Sequence, residues 1–505
     1  MLDGSGSGKS ASYVIPNAYQ LLGSYVFTDP KGELYDKTAG FLKAKGYDIK
    51  VLNLVNPRKS DGYNPLMHIE SEIDVDVIAN TIVKGQKTEG GTSDPYWDDM
   101  AEMLLKALIY YLLATRPVEE QNLSSCAELV RAANSNGGGN LITELMNQLP
   151  YDHPARMNYK SIEIAPEKTY GSILSTLQSK LGKFDSKEIA ELTSTNTINF
   201  EDIGRKKTAV FVISSDTHTA YDFLLTIFFS QMIQHLYDFA DNQGGALPQP
   251  TYFILDEFAN IGKIPDFDKK ISTSRSRKIS FSVILQNLDQ LEAVYEKSHE
   301  TIIGNCDTTV FLGSNSQKTV EYFSKELGEK TVSRDSWSVS KDKNMMRQGY
   351  NKSDQIMARA LMTPDELRRL DNDMCIIFEK GLKPIKAQKY YYFNYNTANL
   401  VKQYMVNHNG REDVDRGTWR KYNPYNPYVE EKEEDKTKEP TSIESLDDLF
   451  AEETPKKEKV ATANNVVPKA EPKVQPAKEE EETYDIQKEL EAKFDELFGA
   501  FDEDN

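Results

Sequence analysis

The chain has little cysteine and no long apolar run, and each shortage excludes something. Its three cysteines, Cys126, Cys306 and Cys375, lie far apart and form no C-x-x-C pair. That argues against a disulfide framework and a structural zinc site, and for a reducing compartment. The six histidines form no H-E-x-x-H or comparable pattern, so no transition metal is expected. No apolar stretch approaches the roughly 18 residues of a membrane-spanning helix. The nearest, Met103 to Ala114, is interrupted by Lys106 and reads as a buried helix. With no signal peptide either, the chain as it stands reads as soluble and cytoplasmic.

Acid is in excess, and its location decides what it means. The net charge is −19 over 505 residues. From Val429 onward there are 25 acidic and 11 basic residues, which leaves the body 54 against 49. A near-neutral body can still present a basic channel, so overall charge does not exclude DNA binding. After about Tyr425 the composition turns to Glu, Lys, Pro and Thr, too poor in large apolar residues to form a core. Residues 426–505 are therefore expected to be a disordered acidic tail. Its two apolar islands, Ser445 to Phe450 and Phe494 to Gly499, fit fold-on-binding hooks and a solubilising spacer equally well.

In the body, 39% hydrophobic residues overall suffice for a large core. Helix and strand alternate: a helix over Lys9–Leu22, a strand over Ser24–Thr28, a helix over Leu34–Lys45, a strand over Ile49–Leu54. Such alternation predicts a parallel sheet with crossover helices. From about Glu70 to Leu192 the periodicity is helical. Strands resume at Thr208–Ile213, Thr251–Leu255, Ser280–Leu285, Thr308–Leu312 and Met374–Phe378. The fold class expected is α/β, with residues 1–69 and 193–425 forming one domain and 70–192 an all-α insertion.

The first ten residues, MLDGSGSGKS, suggest a phosphate-binding loop. In G-x-x-x-x-G-K-[ST] the glycines let backbone N–H groups turn towards phosphate, the lysine neutralises it, and the hydroxyl ligates Mg²⁺. Asp3 stands where the first glycine belongs, so the loop reads better from Gly4, through Ser5, Gly6, Ser7 and Gly8 to Lys9 and Ser10. Taken alone, GSGSG is equally a flexible linker. The deciding partner is Tyr252-Phe253-Ile254-Leu255-Asp256-Glu257, a buried strand with two carboxylates at its carboxyl end. There Asp256 would hold Mg²⁺ and Glu257 would activate water. Beside it, a strand ending in Gln286 offers an amide that can sense the γ-phosphate. The preceding Ser274-Arg275-Ser276-Arg277-Lys278 could supply an arginine finger, or be a solvated turn. Lys31 and Glu33, after another strand, lie near the nucleotide or merely in a turn. Trp97, Tyr96 and Asp94 open an apolar helix, where a tryptophan is more often a core anchor than a substrate contact.

These motifs, in order, resemble the type IV secretion coupling proteins, the TraG/TraD-like P-loop ATPases of bacterial conjugation. The resemblance runs from Gly4 to about Phe393. It is carried by GSGSGKS (4–10), TDPKGELY (28–35), YNPL (63–66), DPYWDDMAEMLLKALI (94–109), ILDEFANIGKIPDF (254–267), SRSRKISFSVILQNLDQL (274–291) and LMTPDELRRL (361–370). Their wording is similar to that of Gram-positive members. The resemblance implies a RecA-like domain and a homohexamer using ATP and Mg²⁺. Lys9, Ser10, Asp256, Glu257 and Gln286 would form the site, with Arg275 acting across a subunit interface. It implies single-stranded DNA, its relaxase and relaxosome proteins, and the secretion channel as partners. The family normally carries N-terminal transmembrane helices and a strand before the loop. The expectation is therefore a truncated chain without its membrane anchor, with an unpaired sheet edge beside the site. Two other functions remain conceivable from sequence: a cell-division type double-stranded DNA translocase, and a non-hydrolysing cargo-docking platform.

Overall fold

A computed structural model describes residues 1, 8–85, 94–135, 140–215, 221–341 and 348–428. Gly4, Ser5, Gly6 and Ser7 of the loop, and the tail from Val429 with both apolar islands, lie outside the described residues.

Five parallel strands form the central sheet: β1 (Ser24–Thr28), β2 (Asp48–Asn53), β3 (Thr208–Ile213), β4 (Thr251–Leu255) and β5 (Ile279–Val283), in the order β2-β3-β1-β4-β5. The near-continuous apolar runs of β1, β3 and β4 follow from their position in the middle of that order. β1 and β3 are buried along their whole length because side chains from both faces are covered. Tyr25 and Phe27 of β1 pack with Ala209, Phe211 and Ile254 on one face. Val26, Val210, Val212, Phe253 and Leu255 turn to the other, against the helix Asp222–Asn242. That second core continues into seven described helices between Glu72 and Ser194, inserted between β2 and β3. No helix among the described residues is long and apolar enough to cross a membrane.

The far edge of β5 is paired, among the described residues, at one point. The Met1 amino group donates to the Val283 carbonyl at 2.7 Å, and the Leu285 N–H donates to the Met1 carbonyl at 3.0 Å.

One expectation needs correction, and two features were not foreseen. The helix after the loop is not continuous to Leu22: a π-turn over Ser10–Val14 leads into Ile15–Ala18, where it stops. The Tyr25 hydroxyl fixes that end, accepting from Leu22 N–H and donating to the Asn17 carbonyl, both at 3.0 Å. The strands β6 (Thr308–Phe311) and β9 (Met374–Glu379) do not extend the parallel sheet. With β10 (Ile385–Gln388) they make a separate antiparallel sheet, β10-β9-β6. The short link between β9 and β10 leaves room only for a hairpin, since a parallel crossover needs a dozen or more residues. Between β6 and β9 stands an unforeseen hairpin, β7 (Glu329–Lys341) with β8 (Gln348–Ala360).

The last described segment is a strap. Its helix Thr397–Tyr404 packs on the helix Glu33–Ala44, with Phe41 and Tyr404 rings 5.5 Å apart. His408 Nδ1 then lies 3.0 Å from Asp36 Oδ1, and Arg411 pairs with Asp61 at 2.8 Å. Further on, the strap crosses to the helical insertion, where Arg420 lies 3.5 Å from Glu120 and Tyr422 is buried beside Tyr111.

Candidate functional site

Parallel register brings three segments to one end of the sheet. Thr28 of β1 pairs with Leu255 of β4, which pairs with Val283 of β5. The residues that follow, Asp29, then Asp256-Glu257, then Gln286, therefore leave the sheet side by side at its carboxyl end. The Thr28 hydroxyl donates to the Asp256 carbonyl at 2.7 Å and ties the first two tips together.

Lys9 reaches both acids: Nζ lies 2.9 Å from Asp256 Oδ1 and also bonds Glu257 Oε1. Gln286 Nε2 donates to the same Glu257 oxygen at 3.0 Å. Glu257 sits at φ 52°, ψ 48°, a left-handed conformation that costs a non-glycine residue about 1–3 kcal/mol. That turn is braced by the Glu257 N–H donating to Asp256 Oδ1 at 3.0 Å. The strained backbone thus aims both carboxylates at one ammonium group.

The electrostatics follow from burial. Burial works against the charged Lys9, but the charges of Asp256 and Glu257 and its bonds to both outweigh it and hold its pKa above the ordinary value. For Asp256 burial prevails, raising its pKa despite the pull of Lys9. Asp29, 2% exposed, is raised by burial to about 6, although backbone N–H groups of Tyr35 and Leu34 partly offset this. Its Oδ2 accepts from the Tyr35 N–H at 2.8 Å and so fixes the turn entering the helix Glu33–Ala44.

Lys9, Ser10, Asp256, Glu257 and Gln286 line one cavity of 430 Å³. Lys31 and Glu33, whose role the sequence left open, stand on its wall beside Asp29. Asn260 and Gln290 complete it and were missed; the only signal was their position within the 254–267 and 274–291 motifs. Gly8, at φ +83°, closes the described end of the loop. Arg275 is not brought to this cavity. It sits on an exposed turn, its side chain 92% exposed and 3.8 Å from Asp307. Arg277 beside it is held by Asp241, with two bonds of 2.9 Å. At the start of the helix Pro95–Thr115, Asp94 Oδ1 accepts from the Tyr96 N–H and Trp97 packs against the core.

The residue set suits a phosphate ester bound with a hard cation. The ammonium of Lys9, the hydroxyl of Ser10, the amide of Gln286 and the adjacent carboxylates of Asp256 and Glu257 share that cavity. No cluster of three potential metal-ligating side chains exists among the described residues. Magnesium is characteristically held by one or two protein carboxylates plus phosphate oxygens and water, and Asp256 with Ser10 in one cavity fits that pattern.

Relatives sharpen the picture. VirD4 of Rhizobium radiobacter is 27% identical over 412 residues, covering 77% of this chain and 56% of that protein. The Escherichia coli conjugal transfer protein TraG is 26% identical over 387 residues, covering 72% of this chain and 60% of TraG. The chain thus spans little more than half the length of such relatives. Among solved structures, the conjugative coupling protein TrwB in a sulphate complex matches with a TM-score of 0.54 at 16% identity, over 77% of this chain and 84% of that one. TrwB with the ATP analogue ADPNP matches with a TM-score of 0.53 at 17% identity, over the same shares. These likenesses establish a TrwB-like fold. The family model for type IV secretory system conjugative DNA transfer matches residues 1–415, and the chain belongs to that family.

Proposed function

We propose that the chain is the motor part of a coupling protein for conjugative DNA transfer, hydrolysing ATP with Mg²⁺ to drive DNA towards a type IV secretion channel. The carrying observation is the convergence of Lys9, Asp256, Glu257 and Gln286 at the sheet's carboxyl end. Solved TrwB structures with ADPNP and with ADP and Mg²⁺ support the nucleotide.

Each side chain has a task in that reaction. Bound Mg²⁺ supplies Lewis-acid stabilisation of developing phosphate charge. Ser10 and Asp256 would hold the ion, and Lys9, released from its acid partners, would neutralise the terminal phosphates. Glu257 takes a proton from the attacking water, and Gln286, already bonded to it, orients the same water. A phosphate that draws Lys9 away from both acids would leave Glu257 to the water, which couples binding to the exposure of Glu257. Arg275, exposed and outside the cavity, is suited to complete a neighbouring subunit's site in a homohexamer. The DNA substrate would be single-stranded and relaxase-led, held through its backbone in a salt-sensitive way. Full-length function would take place at the cytoplasmic membrane face, with the secretion channel and relaxosome proteins as partners.

The test is phosphate release by the purified chain with single-stranded and double-stranded oligonucleotides. Stimulation by single strands supports the reading. Stimulation only by double strands favours a duplex translocase, and hydrolysis indifferent to both would sink the motor.

A further inference from the structure

An aromatic run, Tyr390-Tyr391-Tyr392-Phe393 and then Tyr395, follows β10, and its Tyr391 lies against Gly8 of the phosphate loop. A Cβ built on Gly8 would meet Tyr391 Cε1 at 2.7 Å and its hydroxyl oxygen at 3.4 Å, so the ring touches the loop directly. Tyr392 packs against the core cluster holding Val14, Ile15 and Ala18, which follow the loop. Tyr391 beside it is half-buried, while Tyr390 and Phe393 stay exposed. Tyr391 stacks on Phe393 with centroids 5.1 Å apart and planes 16° from parallel. Phe393 is 55% exposed, and the Tyr391 hydroxyl donates to the Asn372 carbonyl at 3.1 Å. A large apolar ring left in water, fixed by its neighbours and adjoining a phosphate cradle, offers a π-face without ordering cost.

We infer that the Tyr391–Phe393 pair is the nucleobase platform of the site, stacking the base of a nucleotide whose phosphates the Gly8–Lys9–Ser10 segment holds. This inference rests on the nucleotide reading given above. Stacking is tolerant of base identity, since every base has a π-face, so the pair contributes affinity for nucleotides in general rather than choosing adenine. The 430 Å³ cavity is lined mostly by polar side chains suited to the phosphates, and no aromatic residue is among them.

Calorimetric binding of ATP and of inorganic tripolyphosphate, which lacks a base, separates the roles. Stacking is worth about 1–3 kcal/mol per base, so Phe393→Ala is expected to weaken ATP roughly tenfold and leave tripolyphosphate within about twofold. Tyr391→Phe keeps the ring and should retain ATP affinity, whereas Tyr391→Leu should lose it to a similar extent. Equal losses for ATP and tripolyphosphate would overturn the inference, making the pair a buttress of the loop. Unchanged ATP affinity in Phe393→Ala and Tyr391→Leu, with loss of oligonucleotide binding instead, would overturn it in favour of a DNA contact. Lys9→Ala is the control for the underlying reading. If it weakens both ligands, that reading stands whatever the aromatic variants do; if it weakens neither, the reading and this inference fall together.

Discussion

Gln286 Nε2 donates to Glu257 Oε1 across 3.0 Å, joining the tips of two adjacent parallel strands at the oxygen that Lys9 also holds. The amide therefore orients the acid. Gln286→Ala should lower the turnover number by about two orders of magnitude, in the range of other preorganised donors, while ATP affinity changes less than about threefold. Steady-state kinetics beside equilibrium binding reads both.

Lys31 lines the same cavity as Lys9. Lys31→Ala is expected to weaken ATP more than ADP, by roughly tenfold against less than about threefold, because a charge-assisted bond to an extra phosphate is worth about 1.5–3 kcal/mol. Competition of the two nucleotides for the same site measures the ratio. Equal losses would place Lys31 elsewhere.

Asp29 gives the fold a pH signature. Its pKa, about 6 in the fold, lies above the ordinary 3.8, so the folded chain binds more protons between those values. Its contribution to stability is greatest below pH 4 and is lost as pH rises through 6. Asp29→Asn keeps an acceptor for the Tyr35 N–H and removes the ionisation. The variant's stability relative to the parent should therefore be higher at pH 8 than at pH 5, by roughly 1 kcal/mol in denaturant melts.

Gly40 lies in the helix Glu33–Ala44, where alanine would ordinarily stabilise by about 1 kcal/mol. Here an added Cβ would sit 2.1 Å from the Tyr404 carbonyl oxygen of the strap. The clash outweighs the propensity, at about 1–3 kcal/mol. Gly40→Ala should lower the melting temperature and open the segment after Thr397 to protease, while a substitution at the open Gly171 should not.

The parallel core was legible because its central strands β1, β3 and β4 are covered on both faces and so read as nearly unbroken apolar runs. Thr208–Ile213 and Thr251–Leu255 match their strands end to end. The acid pair at Asp256-Glu257 and the amide at Gln286 followed from the rule that ligands gather at carboxyl ends of such strands. The β7–β8 hairpin carries mostly polar residues and shows no such run, and β10 has two exposed residues at its start. The strap was hidden for another reason. Its hold comes from long-range pairs such as His408 with Asp36 and Arg411 with Asp61, which leave no local period. The contact of Tyr391 with Gly8 spans nearly the whole domain and has no trace in spacing at all.

The central claim is that Glu257 does chemistry while Lys9 holds phosphate. ATP binding and phosphate release, measured together on the parent chain, Glu257→Gln and Lys9→Ala with single-stranded DNA present, test it most directly. Glu257→Gln keeps the hydrogen bond from Gln286 and removes the base, so it should bind ATP at parental affinity and release phosphate at least about a hundredfold more slowly. Lys9→Ala should lose binding itself. Phosphate release by Glu257→Gln at the parental rate would contradict the account.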